Sequence, residues 1–127
     1  MSEDENRNEA ETRSFYIDPA LKRAGWGVVE GTRIREEFPI SKGRLIGNNK
    51  RASPDWADYV LQYRNVNLAV IEAKEEGSDY TKGVGQAKDY AERLHVRYTY
   101  SSNGKKIYAM DMDKGTEGDI NAYPTPD

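Results

Sequence analysis

The chain has 127 residues, no cysteine and a formal charge of −3, a size that supports one small domain burying roughly two thirds of its unfolded surface. The lack of cysteine excludes a disulfide framework, and no apolar run reaches membrane-spanning length. The first dozen residues are polar and acidic rather than signal-like, so the composition describes a reduced, soluble, cytoplasmic protein with no membrane partner.

In chain order, residues 1–8 are expected to be a disordered acidic N-terminus. "EAETRSFYIDPALKRAGW" then reads as helical, with Ala10, Ile17 and Leu21 as buried positions. Pro19 after Asp18 predicts a break and restart, Asp18 serving as N-cap, and Gly25 ends the helix. "WGVV" is a candidate short strand, and "GTRIREEFPI" alternates Ile34, Glu36 and Phe38 in a second. "SKGRLIGNNKR" carries Lys42, Arg44, Lys50 and Arg51 without an acidic residue, a pattern that suits DNA phosphate contacts and equally an ordinary solvated loop.

"DYVLQYR" and "LAVIEAK", joined by "NVN", form the clearest strand pair and read as a hairpin. "GVGQAKDYAERLH" places Val84, Ala87, Ala91 and Leu94 on one helical stripe. "VRYTYSS" and "KKIYAMDM" flank the turn signal "NG" and form a second hairpin, after which "YPTPD" is expected to leave the domain as the start of a linker over 123–127. There is no internal repeat. The order of elements predicts an α/β (α+β) domain over 9–122 with a mixed central sheet flanked by helices.

Strand alternation puts Glu72 and Lys74 on one face and Ala73 on the other. A hairpin centred on Asn65 places Asp58 opposite Glu72, whereas a slip of one residue would separate them. Two carboxylates that close repel unless one holds a proton or a cation lies between them. Mg²⁺, which takes hard oxygen ligands and keeps several waters, suits Asp58, Glu72 and the Ala73 carbonyl. Lys74 beside it would orient an attacking water and offset developing negative charge. The same "EAK" also fits the solvated end of an apolar strand carrying an ion pair.

"ADYVLQYRNVNLAVIEAKEE" followed by "GVGQAKDYA" resembles the PD-(D/E)xK nuclease core, and closely the N-terminal nuclease domain of type I restriction enzyme R subunits, along almost the whole chain. The resemblance implies a restriction-endonuclease-like fold and Mg²⁺-dependent hydrolysis of DNA phosphodiester bonds, with Asp58, Glu72 and Lys74 as catalytic triad. It also implies a Gln-x-x-x-Tyr motif at Gln86 and Tyr90, four residues apart on one helical face, toward the DNA backbone. Asp58 follows Ala57 rather than a proline, while the literal Pro54-Asp55 falls outside the hairpin and reads as a turn. Partners implied are double-stranded DNA and the modification and specificity subunits, the latter choosing the sequence. ATP would be used only by the translocase of a full-length parent protein, since the chain contains no Walker A motif.

His95 is the sole histidine and reads as a helix C-terminal cap. Tyr98, Tyr100 and Tyr108 suit strand packing or base stacking. Glu9 or Glu11 is a candidate for a further carboxylate near the metal. Another PD-(D/E)xK nuclease of repair or junction-resolving type, or a non-catalytic DNA-binding domain of the same fold, fits the same residues.

Overall fold

The computed structural model describes residues 7–40 and 55–126, together with the backbone of two short strands at 45–46 and 50–51. Residues 1–6 lie outside it, but Arg7 and Asn8 do not share the disorder expected of them. The Arg7 N–H donates to Glu76, and Asn8 caps helix α1 (Glu9–Thr12) through a reciprocal capping box with Glu11.

Helix α1 runs on through a π-helical segment, Arg13–Ile17, into α2 (Asp18–Ala24) without the expected break. Asp18 is helical, and its N–H bonds to the Arg13 carbonyl five residues back. Proline has no N–H to give, and its ring crowds the carbonyl four residues before it; the wider π turn accommodates both. Asp18 is therefore not an N-cap, and its carboxylate accepts a hydrogen bond from the Tyr59 hydroxyl. Ile17 and Leu21 are buried as expected, while Ala10 is exposed. Gly25, at φ 110°, ends α2 in the left-handed conformation that glycine adopts at least cost.

Residues 25–31 then form turns rather than the strand expected of "WGVV": the Val28 and Val29 N–H groups both donate to the Gly25 carbonyl. Six strands make the main sheet: β1 (Thr32–Pro39), β4 (Trp56–Tyr63), β5 (Val66–Ala73), β6 (Tyr98–Ser102), β7 (Ile107–Asp111) and β8 (Thr116–Ile120). They lie in that spatial order, every pair antiparallel except β5 and β6, which helix α3 (Val84–Leu94) joins as a parallel crossover. Strands β2 (Leu45–Ile46) and β3 (Lys50–Arg51) pair apart from it. The architecture is α/β, a mixed central sheet with helices on its faces.

Alternation along the strands divides the core. Ile17, Leu21, Tyr59, Leu61, Ile71 and Tyr100 pack on the side of the N-terminal helices, and Val60, Val70, Tyr90 and Ala91 on the side of α3. His95 closes α3 in the left-handed conformation. The "NG" signal does not make a two-residue turn. Ser102 pairs with Ile107, so the loop has four residues, and the Asn103 side chain organises it by accepting from the Lys105 and Lys106 N–H groups. Strand β8 has no counterpart in the sequence reading. "YPTPD" does not start a linker at Tyr123: that ring is buried edge-on against Tyr100, and the Trp26 indole N–H donates to the Pro124 carbonyl at 2.8 Å.

Candidate active site

The β4–β5 hairpin turns on Arg64 and Asn65, both with positive φ, so that Tyr63 faces Val66. Continued without interruption, that register would bring Asp58 opposite Ile71 and Glu72 to the wrong position. A bulge between Gln62 and Leu61 leaves Leu68 as an extra residue, and from there Leu61 faces Ala69 and Tyr59 faces Ile71. The expected proximity of Asp58 and Glu72 is thus reached by a shorter turn plus a bulge, not by a turn centred on Asn65.

The two residues are not plain cross-strand neighbours either. Leu61 and Ile34 pack on the N-terminal-helix side, but Ala57 and its partner Phe38 pack on the α3 side. The β1–β4 pair therefore changes face at Glu37, which has φ 53°, and at Asp58. Beyond the Tyr59–Ile71 rung the carboxylates themselves replace the ladder. The Asp58 N–H donates to Glu72 Oε2 at 3.1 Å, and the Ala73 N–H donates to Asp58 Oδ2 at 2.8 Å. Asp58 Oδ1 and Glu72 Oε1 accept no hydrogen bond among the described residues.

Burial, then the neighbouring Asp58, pushes the Glu72 carboxyl up to about 8. Burial also raises Asp58, offset in part by the Ala73 N–H and Arg13. Glu9 is raised by burial and then by Asp58, with Lys74 acting the other way. This places Glu9 in the field of the cluster, whereas Glu11 is engaged in the capping box. Glu72 and Lys74 share the α3 side, as alternation requires. A Cβ on Gly83 would lie 3.1 Å from Lys74 Cε and 3.3 Å from Glu72 Cβ, so the absence of a side chain lets α3 begin directly over both.

Gln86, on the first turn of α3, is exposed and donates from Nε2 to the Tyr90 hydroxyl at 2.7 Å. Tyr90 is only 3% exposed, so its ring packs in the core and its hydroxyl accepts from Gln86. Lys42 and Arg44 lie outside the described residues, as do the side chains of Lys50 and Arg51. Asp55 accepts from Arg93 at 2.7 Å at the surface. Tyr100 is buried packing, Tyr98 is half-exposed, and Tyr108 donates to Glu117.

Arg13 is the residue that sequence reasoning missed. Its guanidinium donates to Glu37 at 2.6 Å and Glu36 at 2.8 Å, lies 3.8 Å from Asp58 Oδ1, and sits 5.0 Å from the centre of the Tyr59 ring. A straight α-helix would rotate position 21 about a third of a turn away from position 9. The π segment takes up that drift, so that Glu9 and Arg13 reach the site on the same side that buries Ile17 and Leu21. The cue was the spacing of four between Glu9, Arg13, Ile17 and Leu21, together with Pro19.

Among the described residues no group of three Asp, Glu, His or Cys side chains converges as a metal cage. One or two carboxylates are nevertheless what a hydrated Mg²⁺ uses. A buried Glu72 and a part-buried Asp58, tied to each other's strands through backbone N–H groups and each keeping one oxygen without a donor among the described residues, are a donor set that a hard cation fits.

A mixed sheet with an Asp–Glu–Lys cluster at one end, under the start of a crossover helix, defines an α/β domain of restriction-endonuclease-like architecture. The family model described as type I restriction enzyme EcoKI endonuclease subunit second domain matches residues 36–126, and the chain belongs to the family of type I restriction enzyme endonuclease subunits. It is 35% identical over 132 residues to the type I restriction enzyme EcoAI endonuclease subunit of Escherichia coli, covering 95% of this chain and 16% of that protein. A solved fragment described as an HsdR subunit of a type I restriction enzyme from Vibrio vulnificus YJ016 superposes with a TM-score of 0.87. It is 37% identical, over 96% of this chain and 24% of that one. The chain thus spans a sixth to a quarter of the length of these relatives. No described helix is long and apolar enough to cross a membrane.

Proposed function

We propose that the domain is a Mg²⁺-dependent endonuclease of the PD-(D/E)xK type. It hydrolyses phosphodiester bonds of double-stranded DNA as the nuclease part of a type I restriction R subunit, in the cytoplasm. The observation that supports this best is the rung at which Asp58 and Glu72 exchange backbone for side-chain hydrogen bonds, with Lys74 on the side of Glu72. Sequence choice is left to the specificity subunit, with the modification subunit completing the complex.

Asp58, Glu72 and the Ala73 carbonyl would hold the metal, which when bound polarises the scissile phosphate and eases ionisation of the attacking water. Asp58 is fixed for this by the Ala73 N–H, and Arg13 compensates its charge from the other side. Lys74 carries a positive charge beside the pair, where it orients the nucleophile and offsets the charge that gathers on the phosphate oxygens. Gln86, oriented by the bond from its Nε2 to Tyr90, has a second amide hydrogen to donate to a DNA phosphate oxygen and a carbonyl oxygen to accept from water.

Nicking of supercoiled plasmid in Mg²⁺ or EDTA tests the reading. Cleavage should require the metal, be lost in Asp58→Ala, and fall by about 10²–10³ in Lys74→Ala with DNA affinity retained. Metal-independent nicking, or equal nicking by Asp58→Ala, would falsify it.

A further inference from the structure

Because β5 and β6 are parallel and Ala73 faces Ser102, Lys74 and Asn103 leave the sheet at the same end. The Lys74 N–H donates to the Ser102 carbonyl at 2.8 Å, and the Asn103 side chain donates to the Ser78 carbonyl, also at 2.8 Å. The loop after β6 is therefore joined to the loop after the candidate catalytic strand. On the side of the N-terminal helices this loop borders a cleft of about 440 Å³, lined among others by Phe15, Tyr16, Arg23, Lys105, Lys106 and Asp119.

The lining is cationic in a chain of net charge −3. Three basic side chains face one carboxylate, and Asp119 already accepts from the Tyr80 hydroxyl at 2.7 Å. Lys105 and Lys106 are splayed over aromatic rings, 5.0 Å from the centre of Tyr16 and 5.3 Å from that of Tyr80. Phe15 is 55% exposed at the mouth, with the Arg7 guanidinium stacked 3.9 Å above its ring. Glu76, two residues beyond Lys74, ties this arrangement to the site: it accepts from the Arg7 N–H and lies 3.6 Å from Lys105. Basic side chains interleaved with aromatic faces, beside two carboxylates that repel phosphate unless a cation intervenes, are suited to a polyanion anchored next to the site.

We infer that this cleft is a phosphate track for DNA flanking the scissile bond, with Arg23, Lys105 and Lys106 as the backbone contacts. The inference rests on the nuclease reading for its substrate. Its contacts are to phosphate and carry no sequence information, in keeping with a domain that cuts without choosing.

The test is fluorescence anisotropy of a labelled 30-base-pair duplex with the whole chain in EDTA, across a salt series. Arg23→Glu/Lys106→Glu is compared with Lys22→Glu, an exposed position on α2 that does not line the cleft. Circular dichroism melting confirms that each variant is folded. Removing two phosphate contacts should weaken binding at least tenfold and reduce the slope of log K against log salt by about 2, with Lys22→Glu close to wild type. Unchanged affinity and slope, an equal loss in Lys22→Glu, or no duplex binding by the wild type would each overturn the track. Since no cleavage is read, the two ideas fail separately. Binding through the cleft without nicking in Mg²⁺ counts against the nuclease, and nicking with unaltered binding in the double variant counts against the cleft.

Discussion

Glu72 carries the sharpest electrostatic conflict in the molecule. In the folded chain its carboxyl keeps a proton up to about pH 8, against an ordinary value of 4.5, chiefly through burial and then through Asp58. Between those values the folded state binds more protons than the unfolded one, so this group makes stability fall as pH rises through that window. Glu72→Gln keeps an acceptor for the Asp58 N–H and removes the charge. At pH 8 its Tm should lie about 5 °C above wild type, from relief of roughly 1–2 kcal/mol. Added Mg²⁺ should raise the wild-type Tm by linkage and leave the variant unmoved. Thermal melts at pH 5 and pH 8, with and without Mg²⁺, read both effects, and equal slopes for the two proteins would refute the assignment. At this scale the sequence was informative: alternation alone put Glu72 and Lys74 on one face of the sheet. Arg13 was missed because its spacing of four from Glu9 and Ile17 puts it on the face of Leu21 only once a π segment absorbs the helical drift, and Pro19 was read as a break instead. The burial of Tyr90 is not encoded in the Gln-x-x-x-Tyr spacing.

Elements, more than side chains, set how closely the cluster can assemble. Gly83 precedes α3, and its N–H donates to Ser101 Oγ at 3.2 Å. A Cβ there would stand 2.8 Å from that same oxygen, as well as against Lys74 and Glu72. Gly83→Ala should therefore shift either the start of α3 or the Lys74 side chain, at about 1–3 kcal/mol of stability. Plasmid nicking should fall at least tenfold at a temperature where the variant is fully folded; full nicking would show that Lys74 tolerates displacement. The hairpin shows why element boundaries were only partly readable. "DYVLQYR" and "LAVIEAK" announce strands, but the positive φ angles at Arg64 and Asn65 lie at residues with no glycine to signal them. The extra Leu68 is indistinguishable in sequence from any other strand leucine. Strand β8 escaped for another reason: "TEGDI" is a polar edge strand with a central glycine, and little of it is buried.

At the scale of the whole molecule, the unit that presents the cluster extends to Pro126 rather than stopping at the last strand. Tyr123 is 4% exposed, its ring 5.5 Å from that of Tyr100, and the Trp26 indole bonds to the next carbonyl. Pro124–Pro126 line a cavity with Trp26, Leu61 and Tyr98, so the segment crosses the sheet face that the N-terminal helices leave open. A chain containing two prolines in four residues gave the sequence reading every reason to see a linker. What it could not supply was the tertiary partner that makes an extended segment part of a core. If the segment belongs to the cooperative unit, Tyr123→Ala should cost about 3 kcal/mol and lower the Tm by about 10 °C. Far-ultraviolet and near-ultraviolet circular dichroism would still report one coincident transition. A loss of near-ultraviolet signal at Trp26 ahead of the secondary structure would mean instead that the strap detaches alone, leaving the sheet and its carboxylates folded beneath it.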